Sequence, residues 1–267
     1  MNSTPSPDKA GKSYWDAQWD ESAMPLPVDP DDHRLNNYVN RSLHNYFINV
    51  FKNRNALELL EIGCANSVWL SYFHQYHGFK VTGVDYSNSG CEKSRYILAA
   101  NNVEGTVFCA DIFSPPESLL GRFDVVVSFG VVEHFTDSVA CIKSCTDFLK
   151  PGGRLITMVP NMCGLPGLLQ KLVDRAVYDI HVPFDKNKFR HDHENAGLTV
   201  LDCNYFLPVN LSAIASGRFE NSLFNPALRR LFSISSKLIW ALDQVGIKIR
   251  PNKFSSPYLI CNALKKA

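Results

Sequence analysis

The sequence predicts an α/β fold built on a doubly wound, mostly parallel sheet, and three observations lead there. From residue 56 onward, short apolar runs alternate with segments of helical periodicity. One run, FDVVVSFGVVEHF (123–135), is almost continuously apolar, as a central parallel strand covered on both faces must be. The links between these segments are short, as consecutive strand–helix units require.

The organising stretch is ALELLEIGCANSVWLSYF (56–73). Leu57, Leu59, Leu60 and Ile62 form an apolar run that breaks at Gly63 and reopens with helical spacing at Val68, Leu70 and Phe73. A strand–turn–helix of this kind sets backbone N–H groups and the positive end of a helix dipole at a strand's carboxyl end, where α/β sheets bind ligands. Glu61 adds a negative charge at the same place, so a partly cationic ligand is expected there.

Ahead of that unit, residues 1–12 are polar and rich in Ser, Pro and Lys, and are expected to form a disordered tail. Residues 13–55 form an N-terminal helical cover. Tyr14, Trp15 and Trp19 recur at helical spacing, either over the ligand crevice or packed on the sheet. After Pro25, Pro27 and Pro30, Asp31 or Asp32 caps a helix from His33 to Phe51 with Leu35, Val39, Leu43, Phe47 and Phe51 on one stripe.

Residues 56–267 form the main domain. FKVTGVDYS (79–87) is its second strand, ending in Asp85, and a helix through CEKSRYILAANN follows. TVFCADIF (106–113) is the third strand, ending near Asp111, and residues 123–135 are the fourth. A helix from Asp137 to Leu149 stops at Lys150-Pro151-Gly152-Gly153. RLITMVPN (154–161), LTVLDCNYF (198–206) and PYLICNALKK (257–266) are the remaining strands. Two further cover segments interrupt them. Residues 162–183 carry Leu168, Leu169, Leu172, Val173, Ala176 and Val177 on one helical face, expected above the crevice. Residues 207–250 hold a helix opening at Asn225 and Pro226.

Composition narrows the functional classes. A net charge of +1 over 267 residues gives no general attraction to nucleic acid or an anionic membrane. The eight cysteines contain no CxxC pair, and Cys141 with Cys145 suits neither a disulfide framework nor a zinc site. No apolar run reaches membrane-spanning length and the N-terminus lacks an apolar signal core, so a reducing, cytoplasmic location is the expectation.

Glu61, Asp85 and Asp111 stand at or near the ends of the first three strands. A carboxylate after the second strand is placed to accept from vicinal ribose hydroxyls, and one after the third from an adenine amino group. Each alone reads as a helix cap; three in register do not. The set EIGCA (61–65), VTGVDYS (81–87), CADIF (109–113), FDVVVSFGVVEHF (123–135) and LKPGGRLITMVPN (149–161) resembles the Rossmann-like, S-adenosylmethionine-dependent methyltransferases over roughly residues 56–206.

That resemblance implies a seven-stranded sheet with an antiparallel last strand and S-adenosylmethionine as cofactor. Gly63 and Ala65 would line the turn against the methionine portion, with Glu61 bracing the turn or meeting the amino group. Asp85 would hold both ribose hydroxyls and Tyr86 would flank the adenine. Asp111 and the Ile112 backbone would take the adenine edge, and the backbone at Ser128 and Phe129 the methionine ammonium. The family's turn usually has three alternating glycines, and here the positions are Gly63, Ala65 and Ser67. A methyl at Ala65 would crowd the cofactor slightly. The same departure argues against a nicotinamide dehydrogenase, which needs G-x-G-x-x-G.

On the acceptor side, His134 in VVEHF is the candidate general base, with Glu133 beside it; the competing reading makes the pair a cap for the next helix or a hold on the loop. His181 is a second candidate base, whereas His191 and His193 are expected to face solvent, with no metal set. The DPPY-type motif of exocyclic-amine methylases is absent. Tyr14, Trp15, Trp19 and Glu133 are the expected acceptor contacts, and Phe206, Phe219, Phe224, Phe232 and Trp240 are candidate rings for an apolar or aromatic small molecule. Lys248, Arg250 and Lys253 form a candidate contact for phosphate or carboxylate. The expected activity is methyl transfer to a small molecule, oxygen before nitrogen or carbon. An inactive binding subunit and a protein or RNA methylase are the alternatives.

Overall fold

In the computed structural model, which describes residues 8–52, 57–214 and 225–267, seven strands form one sheet. They are β1 (Glu58–Ile62), β2 (Lys80–Asp85), β3 (Gly105–Cys109), β4 (Phe123–Phe129), β5 (Leu149–Pro160), β6 (Leu198–Phe206) and β7 (Tyr258–Lys265), in the order β3-β2-β1-β4-β5-β7-β6. β1 pairs in parallel with β2 and β4, while β7 runs antiparallel to both β5 and β6. Strand order therefore reverses between β1 and β4, and the crevice outside their carboxyl ends is the place where such sheets bind ligands.

The central strands are apolar on both sides because both faces are covered. Leu59, Val81, Val125 and Val127 face one core with Phe47, Phe73 and Cys91, which come from α2 (Tyr38–Val50), α3 (Trp69–His77) and α4 (Asn88–Ala100). Leu60, Ile62, Val84 and Val126 face the other with Ile142 and Phe189, from α5 (Ser138–Asp147) and α8 (Lys186–Asn195). Period-two alternation sends neighbouring residues to opposite cores. α4 and α5 start on side-chain caps: Ser87 accepts from Gly90 N at 3.1 Å and Asp137 from Ala140 N at 2.9 Å. Asp137 therefore caps α5, and Glu133-His134 does not.

Several local expectations change. The helix expected from His33 starts at Tyr38, after a 3₁₀ turn at Leu35–Asn37, and Asp32 instead accepts the N–H of Arg34 and pairs with its guanidinium. Residues 8–11, placed by composition in a disordered tail, are fixed: Asp8 bridges Phe135, and Lys9 N donates to His134 O at 2.9 Å. They lead into α1 (Lys12–Glu21).

The segment expected above the crevice splits at Asp174 into α6 (Leu165–Val173) and α7 (Arg175–Asp179). α6 buries Pro166, Gly167 and Gln170 and turns Leu168 and Leu172 to solvent. Gly167 explains this orientation: a side-chain carbon there would meet the Met162 carbonyl oxygen at 2.1 Å. Close approach of backbone selects the inner face in place of hydrophobicity. His193 is fully buried, bonded to Thr157 Oγ1 at 2.7 Å and to Phe189 O at 2.7 Å, so the solvent-facing expectation fails for it and holds for His191.

In α9 (Asn225–Gln244), Trp240 stacks on Tyr38 at 5.1 Å and donates to Val209 O, so this ring is core. Phe219 and Phe224 lie outside the described residues. Lys248 pairs with Asp243 at 3.2 Å. No described helix is long and apolar enough to cross a membrane.

Candidate active site

A cavity of about 490 Å³ opens at the switch point, in the size range of small-molecule sites. Glu61, Asp85 and Asp111 all reach its wall, so the three strand-end carboxylates converge. Gly63, Ala65, Tyr86, Ile112 and Phe129 line it too. Ser128 is buried one residue deeper in β4, off the wall, with an Oγ that has no hydrogen-bond partner.

The turn after β1 is tight. Gly63 adopts φ +74°, and its N–H donates to Val84 O at 2.8 Å. Asp85 is buried; its Oδ2 accepts from Ala65 N at 3.1 Å and its Oδ1 from Ser87 N at 2.8 Å. Burial raises the Asp85 pKa, and these backbone donors pull it back. Each of its oxygens retains a lone pair for a further donor. Asp111 is exposed and bonds Phe113 N at 2.9 Å.

The methyl of Ala65 has a counterpart on α4. A side-chain carbon at Gly90 would lie 2.5 Å from the Ala65 Cβ and 3.0 Å from the Trp19 ring. The glycine missing from the turn is thus matched by one in the facing helix. Ser67 has its own function: its Oγ donates to Glu61 Oε1 at 2.7 Å and accepts from Trp69 N at 3.0 Å, at the start of α3.

Glu61 is fully buried, and its Oε2 has no partner. Burial pushes its pKa up from 4.5 to about 8, with the Ser67 hydrogen bond opposing. Folding thus favours the protonated acid. The resulting stability is complete below the unfolded pKa near 4.5 and is lost as pH rises towards about 8. Melting curves of the ligand-free chain and of Glu61→Gln between pH 5 and 8 should show the variant losing less stability with rising pH, by a few kcal/mol. Equal slopes would remove Glu61 from this account. A cation beside Glu61 reverses the penalty, so a buried carboxylate with one unpartnered oxygen suits a positively charged ligand.

The wall opposite the sheet comes from the N-terminal segment. Trp15 and Trp19 line the cavity and stack at 5.9 Å; Tyr14 meets Trp15 edge-on at 5.0 Å but does not reach the cavity. Asp8 holds this segment down. Its carboxylate accepts from Trp15 Nε1 at 2.7 Å and from the Tyr86 hydroxyl. Asp16 accepts from Ser87 Oγ at 2.6 Å and from Asn88 N at 3.0 Å, and the Ser87 bond leads the causes that lower its pKa. Sequence reasoning missed Asp8, Asp16 and Ser67. Nothing local marks the first two, whereas Ser67 could have been read as a cap two residues before Trp69. No described residue of 162–183 or 207–250 lines this cavity, contrary to expectation.

His134 stands on the cavity wall in the 3₁₀ turn Val132–His134, edge-on to Trp15 at 4.8 Å. Burial, then His181, lowers its pKa to about 4. His181 lies off the wall, its ring 4.7 Å from that of His134. Glu133 is buried behind the wall.

This sheet order and a crevice combining a glycine turn with three strand-end carboxylates define the Rossmann-like class of methyltransferases. The profile of the methyltransferase-domain family matches residues 31–202, and the chain belongs to that family, whose members use S-adenosylmethionine. A ubiquinone biosynthesis O-methyltransferase from Acinetobacter baumannii is 25% identical over 156 residues; the match covers 54% of this chain and 64% of that protein. Geranyl diphosphate C-methyltransferase from Streptomyces coelicolor A3(2), solved with Mg²⁺, geranyl diphosphate and S-adenosyl-L-homocysteine, has a TM-score of 0.63 at 14% identity, covering 98% of this chain and 100% of that one. The [4+2]-cyclase SpnF gives 0.64 at 14% identity, covering 99% and 98%. A cyclase on the same fold shows that fold alone does not set the reaction.

Proposed function

We propose that this chain transfers a methyl group from S-adenosylmethionine to an oxygen of a small, largely apolar or ring-bearing acceptor. The observation that carries the reading is one cavity with carboxylates on its sheet side and indole rings and an imidazole on the other. One methyltransferase relative is named for ubiquinone biosynthesis and the other for geranyl diphosphate, and a net charge of +1 offers little to a polyanion. The inactive-subunit alternative rested on the lost glycines, and the pairing of Ala65 with Gly90 weakens it.

When bound, the cofactor supplies a methyl group already activated on a sulfonium. The remaining work is alignment to within about 3–3.5 Å and exclusion of water. Asp85 holds the ribose hydroxyls with the lone pairs its backbone partners leave free. Tyr86, braced by Asp8, flanks the adenine; Asp111 and the Ile112 backbone take its polar edge. Glu61 meets the positive charge of the methionine portion, assisted by backbone at Ser128 and Phe129. Trp15 and Trp19 close the acceptor side and keep water out. His134 receives the acceptor hydroxyl's hydrogen bond, with His181 behind it.

His134→Ala should leave S-adenosylmethionine binding within about threefold by calorimetry, because the ring packs against Trp15, His181 and Ile180 O and bonds none of the three carboxylates. Transfer of labelled methyl to a panel of phenolic acceptors should fall by roughly 10²–10⁴-fold. Full turnover in the variant would dismiss His134 from the reaction, and no cofactor binding by the unaltered chain would favour a scaffold.

A further inference from the structure

Beside the acceptor wall, three groups come together that cofactor binding does not use. Glu133, His134 and His181 each offer one ligand-type atom, and these atoms lie within 4.8 Å of one another. They come from two places in the chain: the turn after β4 and the turn after α7. A backbone bond from Val182 N to Glu133 O, 2.6 Å, joins the two.

The tautomers of both rings follow from their partners. His134 Nδ1 lies 3.0 Å from Ile180 O and His181 Nδ1 lies 2.6 Å from Val177 O. A carbonyl oxygen only accepts, so each Nδ1 carries the proton and each Nε2 is left with a bare lone pair. Glu133 is 1% exposed and its Oε2 has no hydrogen-bond partner. The two Nε2 atoms thus present lone pairs, and burial favours the protonated form of Glu133, which must release its proton to bind a cation. An imidazole that donates its other N–H to a backbone carbonyl is the usual arrangement around a metal-bound histidine.

We propose that Glu133, His134 and His181 hold a divalent transition-metal cation at the acceptor wall. Two imidazoles and one carboxylate select borderline cations such as Zn²⁺, Fe²⁺ or Co²⁺ over Mg²⁺ and Ca²⁺. Three protein ligands leave coordination positions for water or an acceptor oxygen. The charged groups nearest this corner are Lys9, whose Nζ donates to His181 O at 3.0 Å, and Asp8, whose carboxylate is engaged by Trp15 and Tyr86. With a cation bound, His134 Nε2 is a ligand and no longer receives the acceptor hydroxyl, so an open coordination position takes the acceptor oxygen in its place; that role alone rests on the methyl-transfer reading.

The test titrates the full chain, stripped with a chelator, with Co²⁺, Zn²⁺ and Mg²⁺ in the absence of methyl donor and acceptor. Calorimetry should give one Zn²⁺ or Co²⁺ per chain and no Mg²⁺, with an intense visible band from Co²⁺ in a low-coordinate nitrogen–oxygen site. Glu133→Gln and His181→Asn should each weaken Co²⁺ binding by at least about tenfold, while His191→Ala, an exposed histidine, should leave it unchanged. Melting curves confirm that the variants are folded. Absence of stoichiometric uptake, or equal uptake in Glu133→Gln and His181→Asn, would overturn the site. A chain that binds S-adenosylmethionine but no Co²⁺ loses the metal and keeps the methyltransferase reading; the converse result does the reverse.

Discussion

Asp85→Ala is expected to weaken S-adenosylmethionine binding by at least about a hundredfold, roughly 2.7 kcal/mol. The carboxylate is tied to Ala65 N and Ser87 N, so it fastens the turn after β1 to the end of β2 while facing the cavity. Removing it costs the ligand's contacts and also leaves two amides in buried surroundings without acceptors, each a loss of about 1–3 kcal/mol. Asp111→Ala offers the contrast. That residue is exposed and its side chain bonds locally, to Phe113 N, so about tenfold weaker binding is expected. Calorimetry on both variants decides. Equal, small losses would place the ribose elsewhere.

Gly63→Ala should be nearly as damaging, and by a different route. The backbone at φ +74° costs an L-residue about 1–2 kcal/mol. The added carbon would also lie 2.2 Å from Val131 Cγ2, an overlap worth about 1–3 kcal/mol more. At roughly 2–4 °C per kcal/mol for a chain of this size, the melting temperature should fall by about 5–15 °C. Val131→Ala in the same chain should recover the steric part and leave the backbone part. A Gly63→Ala chain that melts like the parent would mean that the turn can rearrange.

Much of this site is legible in the linear chain because its parts are local. Glu61, Gly63, Asp85 and Asp111 lie at the ends of apolar runs, and a strand's carboxyl end fixes where the next few residues must be. The same grammar gives a mostly parallel, doubly wound sheet, since strands and helices alternate with short links. The antiparallel β7 came from family resemblance, and the pairing of β7 with β5 and β6 bears it out.

Other features are settled between distant segments, where sequence periodicity has no purchase. Hydrophobic spacing places Leu168 and Leu172 inward, yet Gly167 packs against the Met162 backbone and turns them out. His193 sits in a polar helix stretch and is still buried, because Thr157 on β5 supplies a partner.

The sequence by itself determined the α/β class, a crevice at the strands' carboxyl ends and the carboxylates that surround it. These follow from alternation along the chain and from short links. Only the tertiary structure decided that Asp8 fastens an aromatic wall over that crevice, and that His181 arrives beside Glu133 and His134. Those meetings join residues dozens of positions apart, and they depend on packing and backbone paths that no local pattern encodes.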